Sequence, residues 1–302
     1  MRPVAHCVQT LVDHARQDSR IWLLDGDLAD SYGADLFGRE HPERFLMAGI
    51  AEQGMVSTAA GMAACGLRPW VFSFAAFLCF RAYDQIRVGL AQTGMPVTLV
   101  GSHSGGCGGP NGKTHQALND IAVMASLPNV DVWAPGSDRD TQFVMQEIIK
   151  AARPAYIRYP RESWGELPGT AAACRWIGAR RRFALVSCGF FTQIALQAAM
   201  HLRDGGIDIG VIHLTRLAPF PAIELAAALT NVESLWVAED HAHFGGLADL
   251  IRSNGFSVEE PVFGWPANWA GGVGPASELL RQHALTPDLI ADRIAKKLSK
   301  GN

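Results

Sequence analysis

One carboxylate is set apart by the residues around it. Glu52, in Gly49-Ile-Ala-Glu-Gln53, opens a predicted helix running from Ala51 to about Cys65. That helix is rich in small residues: Ala51, Gly54, Ala59, Ala60, Gly61, Ala63 and Ala64. So little side-chain bulk lets another backbone or another chain approach closely and carries Glu52 into a buried contact. Taken alone, the plainer reading is a solvated glutamate in a first turn, favoured by the helix dipole. Four further clusters carry polar chemistry. Asp25-Gly-Asp27-Leu-Ala-Asp-Ser31 follows the first predicted strand, at the carboxyl end where α/β sheets place ligands. Phe74-Ala-Ala-Phe77-Leu-Cys-Phe80 runs into Arg81-Ala-Tyr-Asp-Gln-Ile-Arg87. His103-Ser-Gly-Gly-Cys-Gly-Gly-Pro-Asn111-Gly-Lys113-Thr-His115-Gln is a glycine-rich loop with two imidazoles, and Tyr156-Ile-Arg158-Tyr-Pro-Arg161 closes the series. Singly, each has a structural explanation. Phenylalanines three apart make a helical core stripe, His115 can cap or pack, the glycines can form an ordinary loop, and one of Arg158 and Arg161 can be a surface charge.

The elements that must position these groups follow from composition and pattern. At 302 residues, 48% hydrophobic and 18% charged, the chain can bury two cores of ordinary domain size and has no disordered character. A net charge of −3 without a basic, aromatic-interleaved patch argues against nucleic acid as a partner. No apolar run reaches the roughly 18 residues that cross a bilayer. The N-terminus lacks the order of a signal peptide, and six scattered cysteines without CxxC spacing argue against zinc or a disulfide framework. The expectation is a cytoplasmic protein with no membrane partner.

Apolar strand-like runs at 21–25, 70–73, 97–101, 130–134 and 155–159 alternate with helical patterns at 51–65, 77–92, 116–126 and 138–152. Residues 163–178 are poor in periodicity. The pattern restarts with strands at 183–188, 207–214, 235–238 and 258–263 between helices at 192–203, 222–229 and 246–253, and ends in two helices. This predicts an α/β fold of two doubly wound domains, 1–165 and 178–302, joined by a linker at 166–177.

In this order the motifs resemble the transketolase family, its pyrimidine-binding domain followed by its C-terminal domain, over essentially the whole chain. The most specific parts are Gly49-Ile-Ala-Glu-Gln53, Phe74-Ala-Ala-Phe77, Arg81-Ala-Tyr-Asp-Gln85, Thr114-His-Gln116 and Tyr159-Pro-Arg161. The resemblance implies thiamine diphosphate as cofactor, with Glu52 on a ring nitrogen of its aminopyrimidine. A carboxyl group there favours the imino tautomer, whose nitrogen takes the thiazolium proton. Phe74 and Phe77 match the aromatics that wall the pyrimidine, Phe80 stands at the position of a third, and Asp27 is implied on the cofactor side. His115 matches a histidine beside the reacting carbonyl. Ser31, His103 and Arg161 match positions that hold the phosphate of a sugar substrate, with Arg2 as a further match. Asn111 departs from the family, which carries an aspartate there for an acceptor hydroxyl; an amide both donates and accepts. Lys113 replaces a proline or small residue and adds a cation at the mouth, so both bear on acceptor choice.

A second departure concerns the metal. The family's Gly-Asp-Gly motif, followed some way on by an asparagine, is broken here at Gly26-Asp27-Leu28. The expectation is therefore one half of a split transketolase, with no metal ligands of its own. A separate α-type chain would hold Mg2+ or Ca2+ and the diphosphate, the small-residue helix would be the contact surface, and the assembly would be an α2β2 heterotetramer. Such a chain would transfer a two-carbon ketol unit from a ketose phosphate to an aldehyde. The alternatives are a β subunit of a 2-oxo acid dehydrogenase, a deoxyxylulose phosphate synthase-like enzyme, and a non-catalytic regulatory subunit. Val237-Ala-Glu239-Asp-His241-Ala-His243-Phe-Gly-Gly246-Leu suggests a metal cluster but resembles a structural strand-to-helix turn of the family's C-terminal domain.

Overall fold

The computed structural model describes residues 2–107, 109–266 and 273–300. Its strands are β1 (Ile21–Asp25), β2 (Phe45–Met47), β3 (Arg68–Phe74), β4 (Thr98–Ser102), β5 (Asp131–Trp133) and β6 (Ala155–Arg158), followed by β7 (Cys174–Ile177), β8 (Phe183–Ser187), β9 (Ile209–Leu214), β10 (Arg216–Ala218), β11 (Ser234–Ala242) and β12 (Phe263–Trp265). They form two sheets, in the orders β10-β5-β6-β4-β3-β1-β2 and β12-β11-β8-β9-β7. Every pairing is parallel except at the two edges β10 and β7. The central strands β3 and β4 are buried almost throughout, which is why they read as continuous apolar runs rather than alternating ones. Among the described residues no helix is long and apolar enough to cross a membrane.

The two halves interpenetrate more than the pattern suggests. β7 lies inside the predicted linker and pairs antiparallel with β9. Its sequence, Cys-Arg-Trp-Ile, hides from an apolar-periodicity search because the buried Arg175 is paired with Asp140 at 2.7 Å. β10 comes from the second half but completes the first sheet, antiparallel to β5. One apolar cluster accordingly spans both halves, with Val132 and Ala134 of the first against Leu214 and Leu217 of the second. β12 begins where the predicted 258–263 strand was to end.

Two predicted helices are shorter than their patterns. The 77–92 run is divided into Ala75–Arg81, Tyr83–Ile86 and a π-turn at Arg87–Ala91. The 116–126 run becomes helical only at Asp120–Ala125, because Ala117 exchanges backbone hydrogen bonds with Gly105 at 3.1 Å each way. By contrast the small-residue helix is found at Glu52–Ala64, with Ala51 as its N-cap.

Candidate active site

β6, β4, β3 and β1 are adjacent in the first sheet, so the segments leaving their carboxyl ends meet above one edge. Beyond β1, the buried Asp25 accepts hydrogen bonds from the Leu28 amide and the Tyr32 hydroxyl. That shapes the turn on which Asp27 stands exposed with a positive φ of 66° and from which Ser31 follows. Arg2 reaches this turn from the N-terminal end and donates to the Ser31 carbonyl. Beyond β4 the chain turns at His103, φ 57°, whose buried ring shares a 3.2 Å hydrogen bond with Ser102 Oγ. Beyond β6 comes Tyr159-Pro-Arg161.

His103 gathers these parts. Its ring lies 4.1 Å, centroid to centroid, from Phe74. Burial first, then the charges of Arg161, Arg2 and His115, push its pKa down from 6.5 to about 4. Three sequence-predicted positions therefore bear on a fourth, which is a neutral imidazole at pH 7. The sign of the consequence is fixed. Between pH 6.5 and 4 the unfolded chain binds a proton at this histidine that the folded chain refuses, so its contribution to stability is lost as pH falls through that window. A His103→Asn variant, with a residue that tolerates positive φ, is expected to lose less stability than the parent across that interval. Urea midpoints at several pH values check this, and parallel losses would remove His103 as the cause.

The aromatic wall continues from Phe74 to Phe77, with ring centroids 5.7 Å apart, and His115 stands edge-on to Phe77 at 5.0 Å. Thr114 Oγ1 is 2.9 Å from His115 Nδ1 and helps fix that ring. Next to this wall lies a contact that no motif signals. Arg81 Nη1 is 2.7 Å from Glu52 Oε2, with its guanidinium 4.8 Å above the Phe77 ring. Glu52 is 1% exposed and Arg81 46%. The carboxylate is thus buried at the first turn of its helix and held by a cation that solvent still reaches. The four-residue spacing of Phe77 and Arg81 is a helix-face signal for the stacking. Nothing local signals the partner 29 residues earlier.

Phe80 stands apart from this group. It is 39% exposed and, with Cys79, Tyr83, Ala122, Val123 and Phe244, lines an open apolar recess of about 510 Å³. Asn111 and Lys113 are exposed on two successive 3-10 turns either side of Gly112, at the rim that ends in His115. The glycines of that loop serve close approach. A Cβ on Gly105 would lie 1.9 Å from Asp240 Oδ2, and one on Gly106 2.3 Å from the Trp265 ring.

The histidine–glutamate turn of the second half is committed to structure. His241 accepts from the Ala122 amide at Nε2 and donates from Nδ1 to the Ala242 carbonyl. Glu239 accepts from the Leu247 and Ala248 amides at the start of the helix Leu247–Ser253. Arg158, one of the two arginines left open between a site and a surface role, is buried and paired with Asp120 at 2.9 Å.

Comparisons with known proteins place the whole chain within one set of similar proteins. The family model described as transketolase, pyrimidine binding domain matches residues 5–165, and that of pyruvate:ferredoxin oxidoreductase core domain II matches 182–260. The chain is 30% identical to a putative transketolase C-terminal section of Methanocaldococcus jannaschii, covering 97% of this chain and 95% of that protein. It is 31% identical to 1-deoxy-D-xylulose-5-phosphate synthase 2 of Geobacter sulfurreducens, covering 95% of this chain and 47% of that one. A solved split gene transketolase, described as an inactive beta4 tetramer, superposes with a TM-score of 0.85 at 26% identity, covering 99% and 98% of the two chains.

Proposed function

This chain belongs to the transketolase family as a C-terminal-half subunit, and from that premise we propose that it is the β-type chain of a two-component, thiamine-diphosphate-dependent transketolase. Its reaction would move a two-carbon ketol unit from a ketose phosphate to an aldehyde. The observation that carries the reading is the buried Glu52 carboxylate, held by the Arg81 guanidinium that lies over the Phe77 ring, in the same half of the chain as the group formed by His103, Arg161 and Arg2. These residues suit the flat, hydrogen-bonding pyrimidine end of the cofactor, which supplies the electron sink for breaking the carbon–carbon bond.

The roles of this chain's own residues follow from their chemistry. Glu52 would hold a proton at the edge of the pyrimidine, in surroundings where Phe74 and Phe77 exclude water and strengthen that bond. His115 would donate to the substrate carbonyl oxygen. Ser31, His103, Arg161 and Arg2 would bind the donor's phosphate, and Asn111 and Lys113 would contact the acceptor at the rim. Asp27, exposed on the β1 turn, would face the cofactor from its own side.

Magnesium or calcium and the diphosphate would come with an α-type partner in an α2β2 assembly. The solved relative described as a beta4 tetramer supports self-association of such chains. The exposed side of the Glu52 helix suits a partner: a Cβ on Gly54 or Gly61 would meet nothing within 4 Å, and Leu46, Met47 and Ile50 are exposed nearby in the chain. Gly61→Trp is expected to leave the chain folded but weaken assembly about tenfold or more, since forcing bulk into a packed contact costs about 1–3 kcal/mol. Sedimentation of mixed chains reads this directly, and an unchanged dissociation constant would exclude that helix face from the contact.

The activity itself is tested by mixing the chain with a candidate diphosphate-binding chain, thiamine diphosphate and magnesium. Ketol transfer by the mixture and none by the chain alone is the expected result. The similarity to a deoxyxylulose phosphate synthase favours one second reading: consumption of pyruvate with carbon dioxide release, without ketol transfer, would establish that reading instead. Ketol transfer by this chain alone would overturn the two-component scheme.

A further inference from the structure

We propose that Glu162 is a positioning residue for the Arg161 anion subsite, taking up a proton so that the guanidinium presents its full charge to a dianion. The proposal rests on the reading of Arg161 as a phosphate-binding residue. The two side chains follow one another after Pro160, and each carries a buried atom, Nη1 of Arg161 and Oε2 of Glu162, without a hydrogen-bond partner among the described residues. Adjacent arginine and glutamate side chains left unpaired need an explanation, because an ionised glutamate beside the arginine would pair with it and cancel its charge.

The surroundings of Glu162 supply one. Arg161 faces it from its own segment and Asp240 from the end of β11, while the buried thiol of Cys107 lies near it on the loop after β4. The Asp240 carboxylate is already engaged, accepting from the Gly106 amide at 2.9 Å and from Trp265 Nε1 at 2.6 Å. Burial first, and Asp240 second, raise the Glu162 pKa from 4.5 to about 7, against the pull of Arg161. Below that pH the carboxyl is neutral and Arg161 is uncompensated. Above it the carboxylate ionises and competes with any anion for the same guanidinium. By reciprocity, an anion on Arg161 raises the proton affinity of Glu162, so binding above pH 7 takes up a proton.

The test is calorimetric titration of the purified full chain with inorganic sulfate, whose charge is constant from pH 6 to 8.5, in buffers of different ionisation enthalpy. Affinity is expected to weaken about tenfold across that range, the equivalent of a one-unit displacement of the Glu162 titration, with proton uptake at the upper end. Glu162→Gln should flatten the profile at the level of low pH, and Glu162→Asp should restore a slope. A slope shared by the parent and Glu162→Gln would overturn the proposal while leaving the subsite in place. Sulfate binding unchanged by Arg161→Ala would instead remove the subsite, and the proposal with it.

Discussion

Replacing Glu52 by glutamine in the two-chain assembly proposed above is expected to lower ketol transfer about a thousandfold or more while leaving folding and assembly intact, in keeping with the factor a positioned acid–base group contributes. Glutamine preserves the shape of a side chain that is 1% exposed and begins its helix, so no cavity forms. Its ion pair with Arg81 is lost, but that guanidinium is 46% exposed, and a pair so open to solvent contributes little to stability. What glutamine cannot do is share a proton with a ring nitrogen: its amide donates at one end and accepts at the other without changing charge. Two readouts separate this role from a packing role. Turnover should fall with the Michaelis constants little changed, and deuterium exchange at the thiazolium carbon of bound cofactor should slow in parallel. Exchange at the parent rate would show that Glu52 does not activate the cofactor.

The strands that carry these groups are legible in the sequence, because the groups sit on short segments at strand ends. The strand-like runs at 21–25, 97–101 and 155–159 are continuous and apolar, since β1, β4 and β6 are covered on both faces. Once they are located, Ser31, His103 and Arg161 fall at one sheet edge through the parallel topology. The pairings that cross between elements were not legible. Periodicity reports which face of an element is apolar, and Arg81 with Glu52 is a polar contact between two helices 29 residues apart in sequence. β7 and β10 escaped for a related reason. They are edge strands of four and three residues, and each carries an arginine engaged elsewhere, Arg175 with Asp140 and Arg216 with Glu224. Gln116 and Ala117 have helical propensity and extend the predicted 116–126 helix, yet Ala117 is bridged to Gly105 and the helix begins only at Asp120. There tertiary hydrogen bonding overrides a weak local preference.

Arg158→Met is expected to destabilise the folded chain by about 3–5 kcal/mol, the cost of leaving one member of a buried ion pair uncompensated. Arg158 is 3% exposed and Asp120 fully buried. Two guanidinium bonds, at 2.9 and 3.1 Å, and the Tyr156 hydroxyl at 2.7 Å satisfy that carboxylate. With the arginine removed, the tyrosine alone cannot solvate a charge in that position. The same guanidinium donates to the Asp240 carbonyl at 2.9 Å, so the substitution also loosens β11 from β6. A second substitution identifies the cause. Asp120→Asn in the Arg158→Met background removes the stranded charge and should recover part of the loss, whereas a pure cavity effect would leave the double variant no better than the single. Urea midpoints of the three variants decide between these. The lost tie to Asp240 is not restored by either change, and Asp240 in turn braces Gly106 and faces Glu162. If Arg161 binds an anion as proposed, the double variant should regain stability while its affinity for sulfate stays below that of the parent, because the lost contact held Asp240, which acts on Glu162. A double variant restored in both respects would mean that the buried pair serves folding alone.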